Sequence, residues 1–315
     1  MAKEALKKGI IEKQNGACAL TQAPLNPDLS LVDADRKIMK KDGGIYTNEN
    51  TRVVDPVAHM KRHGNYRERE ESLHELKVMM DGREKVRQHV NATSNRMLAM
   101  KRGTDDLDED TLQWLEQQKD DAKKRLSKID RKVKKHLKTM PHEIIDAALD
   151  VDSVGPITVA YMMIYIKIDK APYVSSLWSY TGLDKPSHKR YNKGESSGGN
   201  KTLRTVLYTM AESQIRGRGA YRDVYDRTKE KLANSDKVTK SRNTQGKLIE
   251  CKWKDTKPSH RHGAAIRQIM KHFLADWWIV HRTLEGMDTP KPYAIEKLGH
   301  NNWIYPEQRG WEYQS

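Results

Sequence analysis

The hydrophobic positions of this chain follow a different rule in each successive stretch. Over residues 1–66, short apolar runs such as Leu29-Ser30-Leu31-Val32 and Arg52-Val53-Val54 are separated by segments rich in Gly, Pro, Asn and Asp. That pattern predicts a compact module of loops and a hairpin. Over 67–140 there is no proline, and apolar residues recur at helical spacing: Leu73, Leu76 and Met80, then Leu112 and Leu115, then Leu126, Ile129, Val133 and Leu137. The break falls at Lys101-Arg102-Gly103-Thr104-Asp105-Asp106, where Gly103 ends one helix and Thr or Asp caps the next. A long antiparallel helical hairpin is therefore predicted. Its apolar stripe is narrow and its other faces are charged, as in a coiled-coil seam, so it is expected to project from the body or pair with another copy, the alternative being that it packs back on its own body. Over 141–285 the chain reads as a compact helical domain with a basic insertion. The domain opens on Val151-Asp152-Ser153-Val154-Gly155-Pro156, which looks like the turn and second helix of a helix-hairpin-helix, with Pro156 at the first helical position. Backbone amides at such a turn can hold a phosphate. A tail over 286–315 carries Trp303, Trp311 and three prolines and predicts no element.

Composition adds a partner. Only 36% of the 315 residues are hydrophobic and mean hydropathy is −0.89, so much of the surface is solvated or covered by something polar. The net charge is +15, and between Asp184 and Lys271 there are 22 basic against 9 acidic residues, a net +13. A basic block of this size is the footprint expected for phosphate binding. Two cysteines, Cys18 and Cys251, make no disulfide framework and fit a reducing compartment. Neither an apolar leader nor a membrane-length apolar run is present, so a cytoplasmic protein without a membrane partner is expected.

Candidate chemistry lies in residues 18–64. Asp33 at the end of a short strand, a Gly43-Gly44 loop, Asn50, and a helix with His59 and His63 follow in order. The set resembles the outline of an HNH, or ββα-metal, nuclease. In that family a divalent ion, here Mg²⁺ or Mn²⁺, is held by a few ligands while it steadies the scissile phosphate and the leaving oxygen. A neutral histidine beside it deprotonates water, and the Asn orients that histidine. Asp33 stands at the strand ligand's position, Asn50 at the orienting position and His59 at the helix ligand's. His63, one turn on, is a second candidate ligand, and Asp35 could ligate or orient. The family has Asp-His where this chain has Asp33-Ala34. Alanine takes no proton, so the module is expected to lose the base's contribution, about 10² to 10⁴ in rate. Natural decay or a deliberate His-to-Ala change accounts for Ala34, and the completeness of the other parts favours the second. Zinc-stapling cysteine pairs are absent: Cys18 is followed by Ala-Leu-Thr, and Asp55-Pro56-Val57-Ala58 precedes His59. Taken singly, His59 and His63 would read as ordinary helix-surface residues.

From Val154 to Arg204 the order is Val154-Gly155-Pro156-Ile157-Thr158, an apolar helix, Leu177-Trp178-Ser179-Tyr180-Thr181-Gly182-Leu183, a basic loop, and Gly198-Gly199-Asn200-Lys201-Thr202-Leu203-Arg204 leading into a helix. This resembles the C-terminal domain of the bridge-RNA-guided insertion-sequence transposases. The likeness continues through Ala264 to Trp278, with Asp152-Ser153 where that family usually has Pro-Gly. The RuvC-like front domain of those transposases is missing. An HNH-like module, a helical hairpin and this domain together resemble the Tas proteins of TIGR-Tas systems, of the HNH-bearing type (TasH), whose body is related to the Nop proteins of box C/D ribonucleoproteins. The fold class implied is mainly α: a ββα-metal module, a helical hairpin (coiled coil) and a compact Nop-like domain. The resemblance also implies a tandem-spacer guide RNA, a homodimer, and cutting of guide-matched double-stranded DNA, in a prokaryotic cell or encoded by a phage.

The residues offer their own nucleic-acid contacts. Lys189, Arg190 and Lys193 flank Tyr191, a pairing suited to phosphate contact with base stacking. Lys201 and Arg204 open a helix whose dipole favours phosphate. Arg216 and Arg218 alternate with glycine, Arg222 follows, and Lys252 and Lys254 flank Trp253 ahead of His260-Arg261-His262. Trp277-Trp278 reads as core or dimer contact rather than a stacking platform. Two other functions compete with an RNA-guided nuclease. Ser196 stands in register with the transposases' catalytic serine, which would make a recombinase; Ala34 supports a guide-directed scaffold that binds without cutting.

Overall fold

The computed structural model describes residues 2–28, 32–37, 47–54, 56–103, 108–184, 198–243, 245–290 and 304–313. Among the described residues the chain is mainly helical with two small antiparallel sheets. It divides into two compact units, residues 1–72 with 285–288, and 73–284 with 289–315, so the helical hairpin and the body fall in one unit.

In the first unit, helix α1 (Ala2–Lys13) covers a hairpin of β1 (Asp33–Arg36) and β2 (Thr51–Val54), in which Asp33 stands opposite Val54 and Arg36 opposite Thr51. Burial explains the contact: Ile10 packs with Val32 and Val53, and Leu6, Ile11 and Leu25 close the cluster. The Gln14 side chain completes the sheet, donating to the Val53 carbonyl at 2.9 Å and accepting from the Val53 amide at 2.9 Å. An open strand edge is thereby satisfied from within the unit. Helix α2 (Pro56–Lys101) begins two residues after β2, with proline at its first position, where a missing N–H costs nothing. Glu285 returns to this unit to pair with Arg69 at 2.9 Å.

The helix expected to start near residue 67 thus starts at Pro56. No proline interrupts 57–140, and the about 1 kcal/mol that Gly64 costs in a helix interior is outweighed by continuous turns on either side. In the second unit α2 runs on to Lys101 and α3 (Glu109–Leu137) returns beside it. Their partners run in opposite order: Glu75 with His136 (3.7 Å), Arg83 with Asp130 (2.6 Å), and Met97 and Met100 with Leu115 and Leu112. Gly103, at φ +70°, ends α2 as expected. The cap of α3 is Asp108, which accepts from the Thr111 amide at 2.7 Å, rather than a residue of the 104–106 run. The base of the hairpin packs on the body, α3 against α5 (Pro156–Tyr165), while Leu98 and Trp114 near its far end are 46% and 58% exposed.

The body is α4 (Glu143–Leu149), α5, α6 (Val174–Tyr180), α7 (Lys201–Arg216), α8 (Arg222–Ala233), a hairpin of β3 (Val238–Arg242) and β4 (Leu248–Lys252), and α9 (Pro258–Leu284). Gly155 caps α5 and Pro156 takes its first position, as the sequence predicts. Helix α9 touches α4, α6, α7 and α8, and it buries Ile266, Ile269, Phe273, Trp277 and Trp278. Apolar residues on most of its faces are what a central helix requires. Two features depart from expectation. The basic insertion holds the β3–β4 hairpin, closed by Asn243, whose amide donates to the Lys247 carbonyl (3.0 Å) and whose side chain accepts from the Lys247 amide (2.9 Å). The tail, which predicted nothing, puts Trp311 into the core against Phe273 and Trp277.

Candidate functional site

The first candidate is the hairpin and helix of the N-terminal unit. Asp33 opposes Val54, and α2 begins two residues beyond Val54, so the strand residue and the first turn of α2, which carries His59, belong to the same end of the hairpin. His63 follows one turn later. The side chains of Asp33, His59 and His63 lie outside the described residues. Ala34 stands opposite Val53, the residue buried with Ile10 and Val32. Asp35 stands opposite Arg52 and pairs with it at 2.9 Å, both side chains almost fully buried. Its carboxylate therefore neutralises a buried guanidinium, and breaking such a pair from one side is costly. Asn50 lies at the other end of the hairpin. Its carbonyl accepts from the Lys37 amide at 2.8 Å and its amide donates to Thr47 Oγ1 at 3.1 Å, which closes the loop between the strands. At about 3.3 Å per residue, the three steps from Asn50 to Val53 put its backbone about 10 Å along the strand from the position opposite Ala34. Among the described residues no group of three His, Cys, Asp or Glu side chains converges on a metal-sized site. In the proposed donor set the carboxylate suits Mg²⁺ or Mn²⁺, while one or two imidazoles are borderline nitrogen donors that favour Mn²⁺ of the two, and the backbone brings the strand and helix members to one end.

The second candidate is the basic face of the body. Lys189, Arg190, Tyr191, Lys193 and Ser196 lie outside the described residues. The two ends of the connection that carries them are close together. Gly199, at φ +77°, crosses Gly182 so tightly that a Cβ on it would sit 2.8 Å from the Gly182 nitrogen and 2.9 Å from the Tyr180 carbonyl. Asn200 fixes the crossing, donating through its amide to the Tyr180 carbonyl (2.6 Å) and accepting at its side chain from the Leu203 amide as the cap of α7 (2.9 Å). Gly199→Ala is expected to cost about 1–2 kcal/mol for the left-handed backbone alone, plus the clash, and to shift the thermal midpoint down while Gly246→Ala, with open space around it, pays only the backbone part. Lys201 is exposed at the start of α7, and the Arg204 guanidinium reaches back beside Gly182.

Arg216 and Arg218 are exposed on the α7–α8 turn. That turn presses on the one between α4 and α5: Gln214, fully buried, donates to the Asp152 carbonyl (2.7 Å) and accepts from the Tyr221 amide (3.1 Å). A Cβ on Gly219 would overlap Gln214, Ser153 and Asp152, so the glycines between the arginines serve this close approach. The helix-hairpin-helix-like turn and the two arginines are thus neighbours, which the sequence order alone does not imply.

Other predicted contacts also make ion pairs or hydrogen bonds within the protein. Arg222 pairs with Asp226 (2.8 Å) and donates to the Ile215 carbonyl (2.7 Å). Lys252 and Lys254 both pair with Asp236, at 2.9 and 2.8 Å, and these two bonds hold the Asp236 carboxyl below its usual range. Arg261 donates to the carbonyls of Thr256 and Lys254, bracing the turn that ends the β3–β4 insertion. Trp253 stacks on His260, centroids 5.1 Å apart.

Compared with known proteins, this chain matches no family model, no curated protein and no solved structure. Among the described residues no helix is long and apolar enough to cross a membrane.

Sequence reasoning missed two cations on α9. Arg267 donates to the Leu183 carbonyl at 2.9 Å, and Lys271 places its ammonium 4.9 Å over the Trp178 ring. Burial, then the neighbouring cation, lowers both from their usual values. Their i, i+4 spacing was the available signal, but it sits inside a helix whose apolar residues dominate the pattern.

Proposed function

We propose that this protein is an RNA-guided DNA endonuclease of HNH type, held in an inactive form by alanine at position 34. The observation that carries the reading is the chain order of β1, β2 and α2, with Asp33 paired to Val54 at the end where the His59 helix begins. Asp33 and His59, with His63 as an additional donor, would hold the divalent ion. When bound, that ion supplies positive charge to the phosphate under attack. Asn50 would orient a histidine at position 34, its backbone being bonded to Lys37 and Thr47, and Asp35 is the counter-charge of Arg52. Position 34 is where a base would deprotonate water, and alanine supplies none. Arg216 and Arg218 beside the α4–α5 turn, with Lys201 and Arg204 at the α7 end, supply cations for the guide RNA's backbone. Pairing between guide and DNA carries the sequence specificity, as the protein reads backbone shape. A homodimer is part of the proposal, and the exposed Trp114 and Leu98 of the hairpin are surfaces that a second copy would cover.

The test compares this protein with Ala34→His, each purified with its co-expressed RNA and given Mg²⁺ and guide-matched duplex. Cleavage is expected from the histidine variant alone, at a rate about 10² to 10⁴ above the parent. Guide-dependent binding with no cleavage by either protein sinks the nuclease and leaves the scaffold, the second reading that Ala34 itself favours. A covalent DNA adduct lost on Ser196→Ala would instead support the recombinase.

A further inference from the structure

Outside both candidate sites, three helices of the body bring a tyrosine, a histidine and a glutamate into one line. The Tyr225 hydroxyl, from α8, lies 2.7 Å from Nδ1 of His262 on α9, and Nε2 of the same imidazole lies 3.4 Å from a Glu212 carboxylate oxygen on α7. That carboxylate also accepts from the Tyr208 hydroxyl, one turn earlier on α7. The Tyr225 and His262 rings meet edge to face, centroids 5.6 Å apart, which holds the imidazole in place. The Tyr225 ring is buried, with the Lys229 ammonium 5.2 Å and the Arg222 guanidinium 5.6 Å from its centroid. Its hydroxyl leads towards solvent, since the His262 and Glu212 side chains are 37% and 27% exposed. A carboxylate attracts the proton-bearing nitrogen, so the neutral imidazole carries its proton on Nε2 and presents the Nδ1 lone pair to the Tyr225 hydroxyl.

From this geometry we infer a second reactive site, in which Tyr225 is a nucleophile for nucleic-acid phosphodiesters, His262 its general base and Glu212 the residue that positions the imidazole. A hydroxyl bonded to a base that is itself held by a third group is the arrangement that activates a weak nucleophile. The tyrosine oxygen forms a bond to phosphorus, and its proton passes to Nδ1 of His262. Glu212 offsets the charge of the imidazolium. The bond from phosphorus to the sugar oxygen breaks with its electron pair on that oxygen, which takes the proton from His262 and leaves a phosphotyrosine diester. Attack by another sugar hydroxyl runs the same steps in reverse and frees Tyr225, so strands are rejoined as well as cut and no water is consumed. Lys229 and Arg222, the latter shared with Asp226, put positive charge beside the nucleophile's ring, where an approaching phosphate meets it. As a mere fastener of three helices the line would be poor, because water competes for pairs this exposed, and the buried Tyr221–Phe273 contact already joins the start of α8 to α9. The site uses neither Asp33, His59 nor position 34, so it is independent of the HNH reading.

The test uses the full chain and the para-nitrophenyl ester of thymidine monophosphate, a phosphodiester whose leaving group is coloured and which needs neither guide nor duplex. The expected results are a burst of about one nitrophenolate per protein and a thymidylyl adduct, located by mass spectrometry on the peptide carrying Tyr225. Tyr225→Phe keeps the ring and its contacts and should give neither. His262→Ala should slow the burst by about 10² to 10⁴, and added imidazole should restore part of the rate, which it would not do for a residue that only packs. Glu212→Gln should lower the burst rate while the half-saturating probe concentration stays at the parent's value. A parent that forms no adduct, or forms it on a residue other than Tyr225, overturns the site, as does a Tyr225→Phe protein that still gives the burst. Because the adduct is mapped on the parent, the outcome does not depend on whether a variant folds. An adduct on Tyr225 in a protein that Ala34→His does not make into a nuclease leaves this site standing and the HNH reading fallen.

Discussion

Trp311→Ala is expected to destabilise the body by about 3–5 kcal/mol, the range for deleting a buried aromatic side chain. Trp311 is almost completely buried, 5.7 Å from the Phe273 ring and 6.3 Å from Trp277, and its indole N–H donates to the Tyr221 hydroxyl at 2.8 Å. Phe273 and Trp277 are held on the central helix, so these neighbours do not collapse into the space. Trp311→Phe separates the packing from the hydrogen bond: most of the ring contact remains and the loss should be nearer the about 1 kcal/mol of one neutral hydrogen bond. Urea unfolding of the three proteins checks it. If the alanine variant unfolds at the parent's midpoint, residues 304–313 are not part of the cooperative core.

Arg309→Met should cost a similar amount at neutral pH and much less in acid. Asp276 is fully buried in α9; its Oδ2 accepts from Arg309 at 2.8 Å and from the Tyr221 hydroxyl at 2.7 Å. Burial pushes the carboxyl up to about 6 even with Arg309 beside it. Removing the guanidinium strands a buried carboxylate, a loss of about 3–5 kcal/mol in comparable cases. The sign of the pH dependence follows from linkage. A carboxyl whose folded value lies above its unfolded one binds its proton more tightly in the native state, so its contribution becomes more favourable as pH falls through about 6 towards the unfolded value. Without Arg309 that value rises further, and the deficit of the variant shrinks on acidification. His272 pulls the same way. Burial first, then Arg309, lowers it to about 4, so the stability it contributes is lost as pH falls from its unfolded value towards 4, and losing Arg309 weakens that effect. Equal destabilisation at pH 7 and pH 5 would show that Asp276 carries no charge to strand.

Both residues belong to a tail that the sequence left blank, and the reason is physical. Trp311 and Arg309 sit in a stretch with three prolines and no apolar period. Their roles come from contacts with Tyr221, Phe273, Asp276 and Trp277, between 33 and 90 positions away along the chain, which no local pattern encodes. The β3–β4 hairpin was illegible for a different cause. Val238-Thr239-Lys240-Ser241-Arg242 buries only the polar Ser241, so no apolar alternation marks the strand, and its pairing is set at the Asn243–Lys247 turn. Helix α2 starts earlier than the periodicity predicts, because the loop-rich composition of 1–66 hides Pro56, a good first residue for a helix.

What the sequence determined by itself is what local periodicity and capping encode. The α2–α3 pair follows from apolar residues every three or four positions and from Gly103; α5 follows from Gly155-Pro156; the burial of Trp277 and Trp278 follows from the apolar helix around them. The order of Asp33, Asn50 and His59 was legible too, and the tertiary structure added that Asp33 and the start of α2 share one end of the hairpin while Asn50 closes the other. Only the tertiary structure decided how the cations are used. Lys252, Lys254, Arg222 and Arg261 are engaged by the protein's own acceptors, Arg267 by the Leu183 carbonyl and Lys271 by the Trp178 ring, whereas Lys201, Arg216 and Arg218 are exposed. A count of charges along a chain fixes the total field but not the distances between the charges, and both pairing and phosphate recognition depend on those distances.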